Sequence, residues 1–288
     1  MHRFQKYSLY SFKEKFQVLK YSLGQRLVES TPEGLKSMHI MLSVILSKGI
    51  TVGRKGEQLL IKHTINNCAL EFLLRKNSSD VVVFCQVVVY KEYLPIIEIL
   101  KKYNISLRHM IDAGANIGIT SLFFKAYFPE ASIVALEPFA DNCEQLSANI
   151  KSNNLSDITI LQQGLWGRTT NLQPNTSFRD GMEWAYRLIE SNTEGHNSIA
   201  VTSVSDLLLK VKWDTIDFLK IDIEGGEVSV FAADVDISWL SRVKILALEI
   251  HDEFDCRQHI EDAIRAYGFE IAHSGELTIC TNKVLLED

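Results

Sequence analysis

The chain has 288 residues, of which 46% are hydrophobic, so it can bury a sizeable core in one large or two modest domains. Its formal net charge of −6 argues against a surface built to hold a long nucleic acid, and we expect no nucleic-acid partner. The five cysteines show no C-x-x-C spacing, which argues against a zinc site or a disulfide framework and favours a reducing, cytoplasmic setting.

Residues 1–55 are predicted to form a helical extension. Aromatic and leucine side chains recur at helical spacing from Phe4 to Leu23, with lysines among them, which is the pattern of a basic amphipathic helix. Such a stripe usually packs against protein, here the same domain or the partner of a homodimer, and a peripheral contact with a membrane is the alternative. No secretory signal is visible, and the apolar stretch from Met38 to Leu46 is too short to span a bilayer.

Residues 56–105 are predicted to form a hairpin and a helix that lead into the core. The hairpin turns at Asn66 and Asn67, residues that tolerate the left-handed backbone conformations of tight turns. The predicted strands on either side are 59–65 and 69–74, and the predicted helix is 93–103. The apolar run 81–89 fits either a strand or the start of a helix, because periodicity alone does not distinguish the two.

From residue 106 to residue 288, apolar strands alternate with helices, which predicts a mostly parallel sheet covered on both faces. The predicted strands are 110–112, 133–137, 158–161, 199–203, 216–222, 243–250, 269–273 and 277–281, and the predicted helices are 119–128, 142–153, 205–210, 260–267 and one that begins at 227. The last two strands form an apparent hairpin. The segment at about 166–197 interrupts the alternation, and we interpret it as an insertion over the strand ends, either a place for substrate contacts or a surface excursion.

The segment from Ile111 to Gly118 places an acid and two glycines where an apolar strand passes into an apolar helix. Gly114 and Gly118 allow a sharp turn and the close approach of a ligand at the start of the helix. A dinucleotide-binding fingerprint would have glycine in place of Asn116, and the carboxylate of Asp112 would repel a diphosphate. That carboxylate can instead accept hydrogen bonds from an ammonium group, so a cationic cofactor such as S-adenosylmethionine fits better than NAD.

The second strand of this region ends in Glu137. In a right-handed βαβ unit this acid falls beside the first turn, where its two oxygens can accept hydrogen bonds from both hydroxyls of a ribose. Asp112 and Glu137 would then bracket one nucleoside. A nicotinamide-dependent oxidoreductase could use the same elements, and a non-catalytic cofactor-binding protein would retain them, so both remain alternatives.

Ionisable residues alternate along the later strands. Lys220, Asp222 and Glu224 share one side of an apolar strand and its end, where charged groups are costly unless they pair or take part in chemistry. Glu249 and His251 repeat the pattern on the next strand, and His251 has the ordinary pKa closest to neutrality. The alternatives to a catalytic role are a lysine–carboxylate pair that closes the sheet and a structural histidine.

These residues suggest a catalytic hypothesis. His251 or Asp222 would remove the proton of an acceptor hydroxyl, while Lys220 and Glu249 would fix orientation or charge. A divalent metal held by Asp222, Glu224 and His251 is conceivable, because carboxylate oxygens with one imidazole suit Mg²⁺ or Mn²⁺, but no metal is assumed.

Four stretches of the sequence carry a family resemblance. They are Leu74 to Tyr93, Ile111 to Gly118, Glu137-Pro138 and Leu219 to Glu227. In this order and at this separation they resemble the FkbM family of S-adenosylmethionine-dependent methyltransferases, over residues 70–285. The resemblance implies an α/β, Rossmann-like class I methyltransferase fold, with a mostly parallel seven-stranded sheet and a C-terminal antiparallel hairpin after the helical and hairpin extension. It also implies O-methylation of a hydroxyl on a sugar, glycan or related natural product.

The resemblance further implies which residues hold the cofactor. They are Asp112, Gly114, Asn116 and Gly118 around the methionine moiety and ribose, Glu137 and Pro138 at the ribose, Gln163, Gly164 and Leu165 near the adenine, and Asp222 facing the sulfonium or the acceptor. Substrate identity is not carried over. The candidate acceptor contacts are Glu224, Trp166, Trp184 and Tyr186. Their aromatic rings suit either stacking on a sugar face or packing in a core.

Overall fold

The computed structural model describes residues 9–10, 14–15, 17–18, 33–175, 187–189 and 198–286. The apolar residues of the predicted amphipathic stripe, Phe4, Tyr7, Phe12, Phe16, Leu19 and Leu23, lie outside these ranges, as do Trp184 and Tyr186. Within the ranges, no helix combines the length and the apolar character needed to cross a membrane.

The N-terminal part of the described chain is a helix followed by a three-stranded antiparallel sheet. The helix is α1 (Glu33–Ser47), and the strands are β1 (Val52–Lys55), β2 (Gln58–Ile65) and β3 (Cys68–Leu74), in the order β1-β2-β3. The predicted hairpin is confirmed, and Asn66 and Asn67 turn it with φ of 47° and 63°. Strand β1 was not predicted, because Val52 is its single buried residue. Since β1 pairs with β2, this sheet crosses the boundary predicted between residues 55 and 56.

The undecided run 81–89 is helical. It comprises α2 (Asp80–Phe84) and a turn of π-helix, Cys85–Val89, in which the amide of Tyr90 donates to the carbonyl of Cys85. The predicted helix that follows is confirmed as α3 (Leu94–Lys102), with Pro95 in its first turn, where a missing amide hydrogen costs nothing.

The rest of the chain builds a large sheet and a small one. Its strands are β4 (His109–Ala113), β5 (Ser132–Leu136), β6 (Ile158–Leu161), β7 (Gly164–Leu165), β8 (Thr170–Asn175), β9 (Arg187–Ile189), β10 (Ile199–Thr202), β11 (Ile216–Ile221), β12 (Val243–Glu249), β13 (Phe269–Ser274) and β14 (Leu277–Asn282). The large sheet has seven strands in the order β13-β14-β12-β11-β4-β5-β6. Of its seven strands only β14 runs opposite to the others, so the predicted Rossmann-like class I fold with a closing hairpin is confirmed.

Two hydrophobic cores lie on opposite faces of the large sheet. The helices that follow β4 are α4 (Ile119–Tyr127), α5 (Ala140–Ser152), α6 (Val204–Val211), α7 (Glu227–Val230), α8 (Arg257–Arg265) and α9 (Lys283–Leu286), with 3₁₀ turns at Ser238–Arg242 and Asp252–Phe254. Side chains alternate along a strand, so Phe218 on β11 belongs to the core that also contains α1, α3 and α4, whereas its neighbour Leu219 belongs to the core that contains α6 and α8. The helix α1 and the three-stranded sheet therefore contribute to the core on one face of the large sheet.

The small sheet has the order β7-β10-β8-β9. The predicted strand 199–203 is present as β10, but it pairs with β7 and β8 and not within the large sheet. Two of the four strands, β8 and β9, come from the predicted insertion, so the described parts of this segment are anchored to the core through β10. The helix predicted from Glu227 is one turn long.

Candidate active site

A cavity opens where the carboxyl ends of β4, β5, β11 and β12 meet, the edge at which open α/β sheets bind ligands. It encloses about 1200 Å³, including its solvent-filled mouth. The predicted site residues in its wall are Gly114, Asn116, Glu137, Pro138, Gly164, Leu165, Trp166, Lys220, Asp222, Glu224 and Glu249. The fold therefore brings together residues that lie more than 130 positions apart in the sequence.

The turn after β4 is pressed against the end of β11. Gly114 has φ of +78°, and a Cβ on it would lie 1.7 Å from the main-chain oxygen of Asp222. The amide of Asp222 donates to the carbonyl of Ala113 at 3.2 Å, which holds the two strand ends together. Only glycine fits this contact, and it places Asp222 beside the turn expected to cradle the cofactor.

Glu137 is buried at the cofactor side of the cavity and accepts three hydrogen bonds. Its Oε2 accepts from the amide of Asn116 at 2.8 Å, and its Oε1 accepts from the amide of Phe139 at 3.0 Å and from Asn142 Nδ2 at 3.2 Å. Burial raises the pKa of Glu137 to about 7, although these hydrogen bonds lower it. Sequence reasoning missed Asn142, whose only signal is an amide in the first turns of the helix after the acid.

Asn116 stands where a dinucleotide fingerprint has glycine. Its φ is +49°, a left-handed conformation that asparagine tolerates, and its Oδ1 accepts a hydrogen bond from the amide of Ile117 at 2.7 Å. The side chain therefore stabilises the turn locally, and its backbone amide remains directed at Glu137.

Lys220 lies at the centre of the site. Its Nζ donates to the carbonyl of Gly114 at 2.8 Å and lies 3.4 Å from Asp112 Oδ1 and 3.3 Å from Asp222 Oδ2. Burial lowers its pKa, but the acidic neighbours Asp222, Tyr93 and Asp112 outweigh burial and hold the pKa well above its ordinary value. Lys220 therefore remains a cation held between the two carboxylates.

Three predicted cofactor residues do not line the cavity. Asp112 lies opposite Lys220 in strand register, and its carboxylate is buried against Lys220 and Ser121 Oγ, so it supports the wall from behind. Gly118 begins α4, where a Cβ would lie 2.1 Å from Leu146 Cδ1, so it serves packing. Gln163 follows β6, where the chain turns toward β7, and its backbone amide donates a hydrogen bond to the carbonyl of Leu161.

His251 is enclosed by acids. Its Nδ1 lies 3.2 Å from Glu227 Oε2, and its Nε2 lies 3.4 Å from Glu224 Oε2 and 3.7 Å from Glu249 Oε1. Burial lowers the pKa of this imidazole, but hydrogen bonds with Glu224 and Glu227 outweigh burial and raise it to about 11. A ring that is protonated at neutral pH has no lone pair to accept a proton, so this arrangement favours the structural alternative for His251 over the predicted general base.

The possible metal set does not form a coordination site. His251 is engaged by carboxylates on both ring nitrogens, whereas a metal-binding imidazole must offer a free lone pair. In the part of the chain that the structure describes, no group of three or more His, Cys, Asp or Glu side chains is arranged to hold a metal ion.

Residues 112–271, more than half of the chain, match the family model described as the methyltransferase FkbM domain. The chain belongs to the FkbM methyltransferase family. Methyltransferase sdnD of Sordaria araneosa is 29% identical over 191 residues, which cover 56% of this chain and 73% of sdnD. Methyltransferase 1 of Beauveria bassiana is 23% identical over 181 residues, which cover 57% of this chain and 72% of that protein.

Among solved structures, the FkbM methyltransferase from Methylobacillus flagellatus KT is similar, with 17% sequence identity and a TM-score of 0.40. The similarity covers 61% of this chain and 44% of that one. Family membership and the two sequence relatives identify the chain as a methyltransferase, and its cavity is therefore considered as a methyltransferase active site.

Further acids of this FkbM protein surround the outer part of the cavity. Burial and the nearby Asp222 carboxylate raise the pKa of Glu249 to about 8 and that of Glu92 to about 7. Glu92 comes from the turn between the π-helical segment and α3, and Glu276 comes from the turn between β13 and β14. Sequence reasoning missed both, because neither lies at the carboxyl end of a parallel strand.

Trp166 lies between the cavity and the small sheet. It lines the cavity, and it also packs with Leu172 and Val201 in the small sheet. Glu224 lines the cavity too, with a left-handed backbone at φ of +53°. The other two candidate acceptor contacts, Trp184 and Tyr186, lie outside the described residues.

Proposed function

We propose that this protein transfers a methyl group from S-adenosylmethionine to a hydroxyl oxygen of a sugar, glycan or related natural product. The observation that carries the proposal is the position of Asp222. Its carboxylate lies 3.3 Å from Lys220 Nζ, the residue lines the cavity, and its main chain lies against the Gly114 turn. A base is thereby available where the transferred methyl group is expected.

The residues present fit the cofactor. The turn from Gly114 to Asn116 lines the cavity, where it can face the methionine moiety, and the buried carboxylate of Glu137 offers oxygens to the ribose hydroxyls. Carboxylates at Asp222 and Glu224 favour a cation over a diphosphate, which counts against NAD. When bound, the cofactor supplies an electrophilic methyl group on a positively charged sulfur.

In this scheme Asp222 is the general base. It would accept the proton of the acceptor hydroxyl, so that the oxygen can take the methyl group that the bound cofactor would supply. Asp222 then releases the proton to solvent. Lys220 holds Asp222 in place through the reaction. Lys220 stays protonated because the neighbouring carboxylates and the Gly114 carbonyl stabilise its ammonium group. The wall residues supply the remaining acceleration by orienting the acceptor oxygen toward the methyl group.

Glu249 and His251 have supporting roles in this scheme. Because its pKa is about 8, Glu249 is protonated at neutral pH and can donate a hydrogen bond to the acceptor. His251 carries the positive charge that balances Glu227 and Glu224 behind the cavity. The acceptor oxygen would then lie between a carboxylate that takes its proton and a carboxyl group that orients it.

A transfer assay tests the proposal. Purified protein is incubated with S-adenosylmethionine carrying a tritiated methyl group and a panel of monosaccharides, alkyl glycosides and polyols, and products are located by mass spectrometry. We expect label on a hydroxyl oxygen with wild-type protein and little with Asp222→Asn, which keeps the shape but removes the base. Label on nitrogen or carbon would contradict O-methylation, and cofactor binding with no transfer to any panel member would favour a non-catalytic protein.

A further inference from the structure

A chain of hydrogen bonds connects the three-stranded sheet to the proposed ribose site. Arg75, the residue after β3, donates through Nη2 to Asp80 Oδ1 and to Asn142 Oδ1, both at 2.8 Å. Asn142 in turn donates through Nδ2 to Glu137 Oε1 at 3.2 Å. Asp80, Asn142 and Glu137 are all at least 95% buried, so solvent does not compete for these contacts.

The charges at the two ends fix which way the Asn142 amide points. Arg75 can only donate hydrogen bonds, and an ionised Glu137 can only accept them. The carbonyl oxygen of Asn142 must therefore face Arg75 and its NH₂ must face Glu137. The Arg75–Asp80 ion pair keeps the guanidinium in place. The backbone amide of Arg75 strengthens the pair by donating a hydrogen bond to Asp80 Oδ2 at 2.7 Å.

The same face of α5 carries further amides that dock the edge of β3 without touching Glu137. Asn149 Oδ1 accepts from the amide of Leu73, and Gln145 Nε2 donates to the Leu73 carbonyl. Asn153 forms both a donated and an accepted hydrogen bond with the main chain of Glu71, each at 2.7 Å. Several side chains of this helix face therefore hold the three-stranded sheet in place. Among the described ones, only the Asn142 side chain also bonds to the Glu137 carboxylate.

We infer that Arg75 and Asn142 are positioning residues for cofactor binding, which hold the Glu137 carboxylate ionised and oriented toward the ribose hydroxyls. The inference rests on the proposed function, because it concerns the ribose of the proposed cofactor. Arg75 lies outside residues 112–271, which match the family model, so the inference gives a residue outside that domain a part in cofactor affinity.

The other groups that face Glu137 are few among the described residues. Lys220 lowers the pKa of Glu137 through its charge, as do the amides of Asn116 and Phe139 through hydrogen bonds. Cys143 Sγ contacts the main-chain oxygen of Glu137, and burial raises the pKa of this thiol to about 12, so it stays neutral in the range tested. Loss of the Asn142 donor should therefore raise the pKa of Glu137, since the remaining groups are unchanged.

Isothermal titration of the full-length protein with S-adenosylhomocysteine from pH 6 to pH 9 tests this. Wild-type affinity should rise with pH as Glu137 ionises. Asn142→Leu, similar in size but without a donor, should bind about tenfold more weakly at pH 7, with the midpoint of its pH profile moved upward and much of the affinity recovered at pH 9. Arg75→Lys, which keeps the charge but loses the planar fork, should move the midpoint in the same direction by a smaller amount.

Asn153→Leu is the matched control. It removes an amide from the same helix face and should lower the melting temperature while leaving the pH midpoint of binding at the wild-type value. An unchanged midpoint in both Asn142→Leu and Arg75→Lys would overturn the inference and leave the proposed cofactor intact. If Asn142→Leu does not fold, Arg75→Lys decides alone. Absence of binding by the wild-type protein at every pH would contradict both the inference and the proposed function.

Discussion

Replacing His251 with glutamine distinguishes a structural imidazolium from a catalytic base. The ring is buried 3.2 Å from Glu227, whose side chain is fully buried, and 3.4 Å from Glu224. Glutamine can still donate one hydrogen bond but carries no charge, so Glu227 loses its counter-ion. Removing one partner of a buried ion pair costs about 3–5 kcal/mol. For a chain of this size that loss lowers the melting temperature by roughly 10 °C.

The same ion pair gives the prediction a pH dependence. His251 titrates near 6.5 in the unfolded chain and at about 11 in the fold, because Glu224 and Glu227 outweigh the effect of burial. A raised pKa means that the contribution to stability is fully present below pH 6.5 and is lost as the pH rises toward 11. We therefore expect the wild-type melting temperature to fall between pH 7 and pH 10 more steeply than that of His251→Gln.

Thermal unfolding followed by circular dichroism measures both effects, and turnover is measured well below the lower melting temperature. His273→Gln is the control, because His273 also pairs with a glutamate, Glu261, but its side chain is 54% exposed, and its loss should change the melting temperature little. The reasoning would be refuted if His251→Gln melted like the wild-type protein while its turnover fell about 10²–10⁴-fold, the loss typical of a missing general base.

Three further substitutions test the site. Gly114→Ala places a Cβ 1.7 Å from the Asp222 oxygen, so it should abolish binding of S-adenosylhomocysteine in a calorimetric titration, and wild-type affinity would contradict the close contact. Asp222→Asn should lower kcat by about 10²–10⁴-fold at saturating cofactor, and unaltered kcat would exclude Asp222 as the base. Glu249 is neutral below its pKa of about 8, so wild-type KM for the acceptor should rise above pH 8, and Glu249→Gln should remove that rise from the pH profile. A rise that persists in the variant would place the titrating group elsewhere.

The large sheet was predictable because its strands are short apolar runs separated by amphipathic helices. Strand β1 was not, since Val52 is its only buried residue and the pairing with β2 gives it its shape. The run 81–89 was ambiguous for a different reason. Its sequence is apolar at every position except Gln86, so hydrophobicity alone shows no period, although the fold buries Val81, Phe84 and Val88 on one helical face. The pairing of β10 with β7 and β8 likewise depends on contacts that local pattern does not encode.

Site residues that directly follow a parallel strand, as Gly114, Glu137 and Asp222 do, were predictable from the sequence. It was not predictable where partners come from elsewhere in the fold. The proposed role of His251 followed from its ordinary pKa, but Glu227, which argues against that role, lies 24 positions earlier, at the start of α7. Asn142 reaches the site from α5 and Glu92 from the turn before α3, and no spacing rule connects them to it.

Calorimetric titration with S-adenosylhomocysteine tests the central claim most directly, with NAD as the comparison ligand and Glu137→Ala as the control variant. We predict micromolar binding of S-adenosylhomocysteine by the wild-type protein, no measurable binding of NAD, and a large loss of affinity in Glu137→Ala. Binding of NAD in preference, or affinity for S-adenosylhomocysteine that is unchanged in Glu137→Ala, would contradict the assignment of this cavity as the cofactor site.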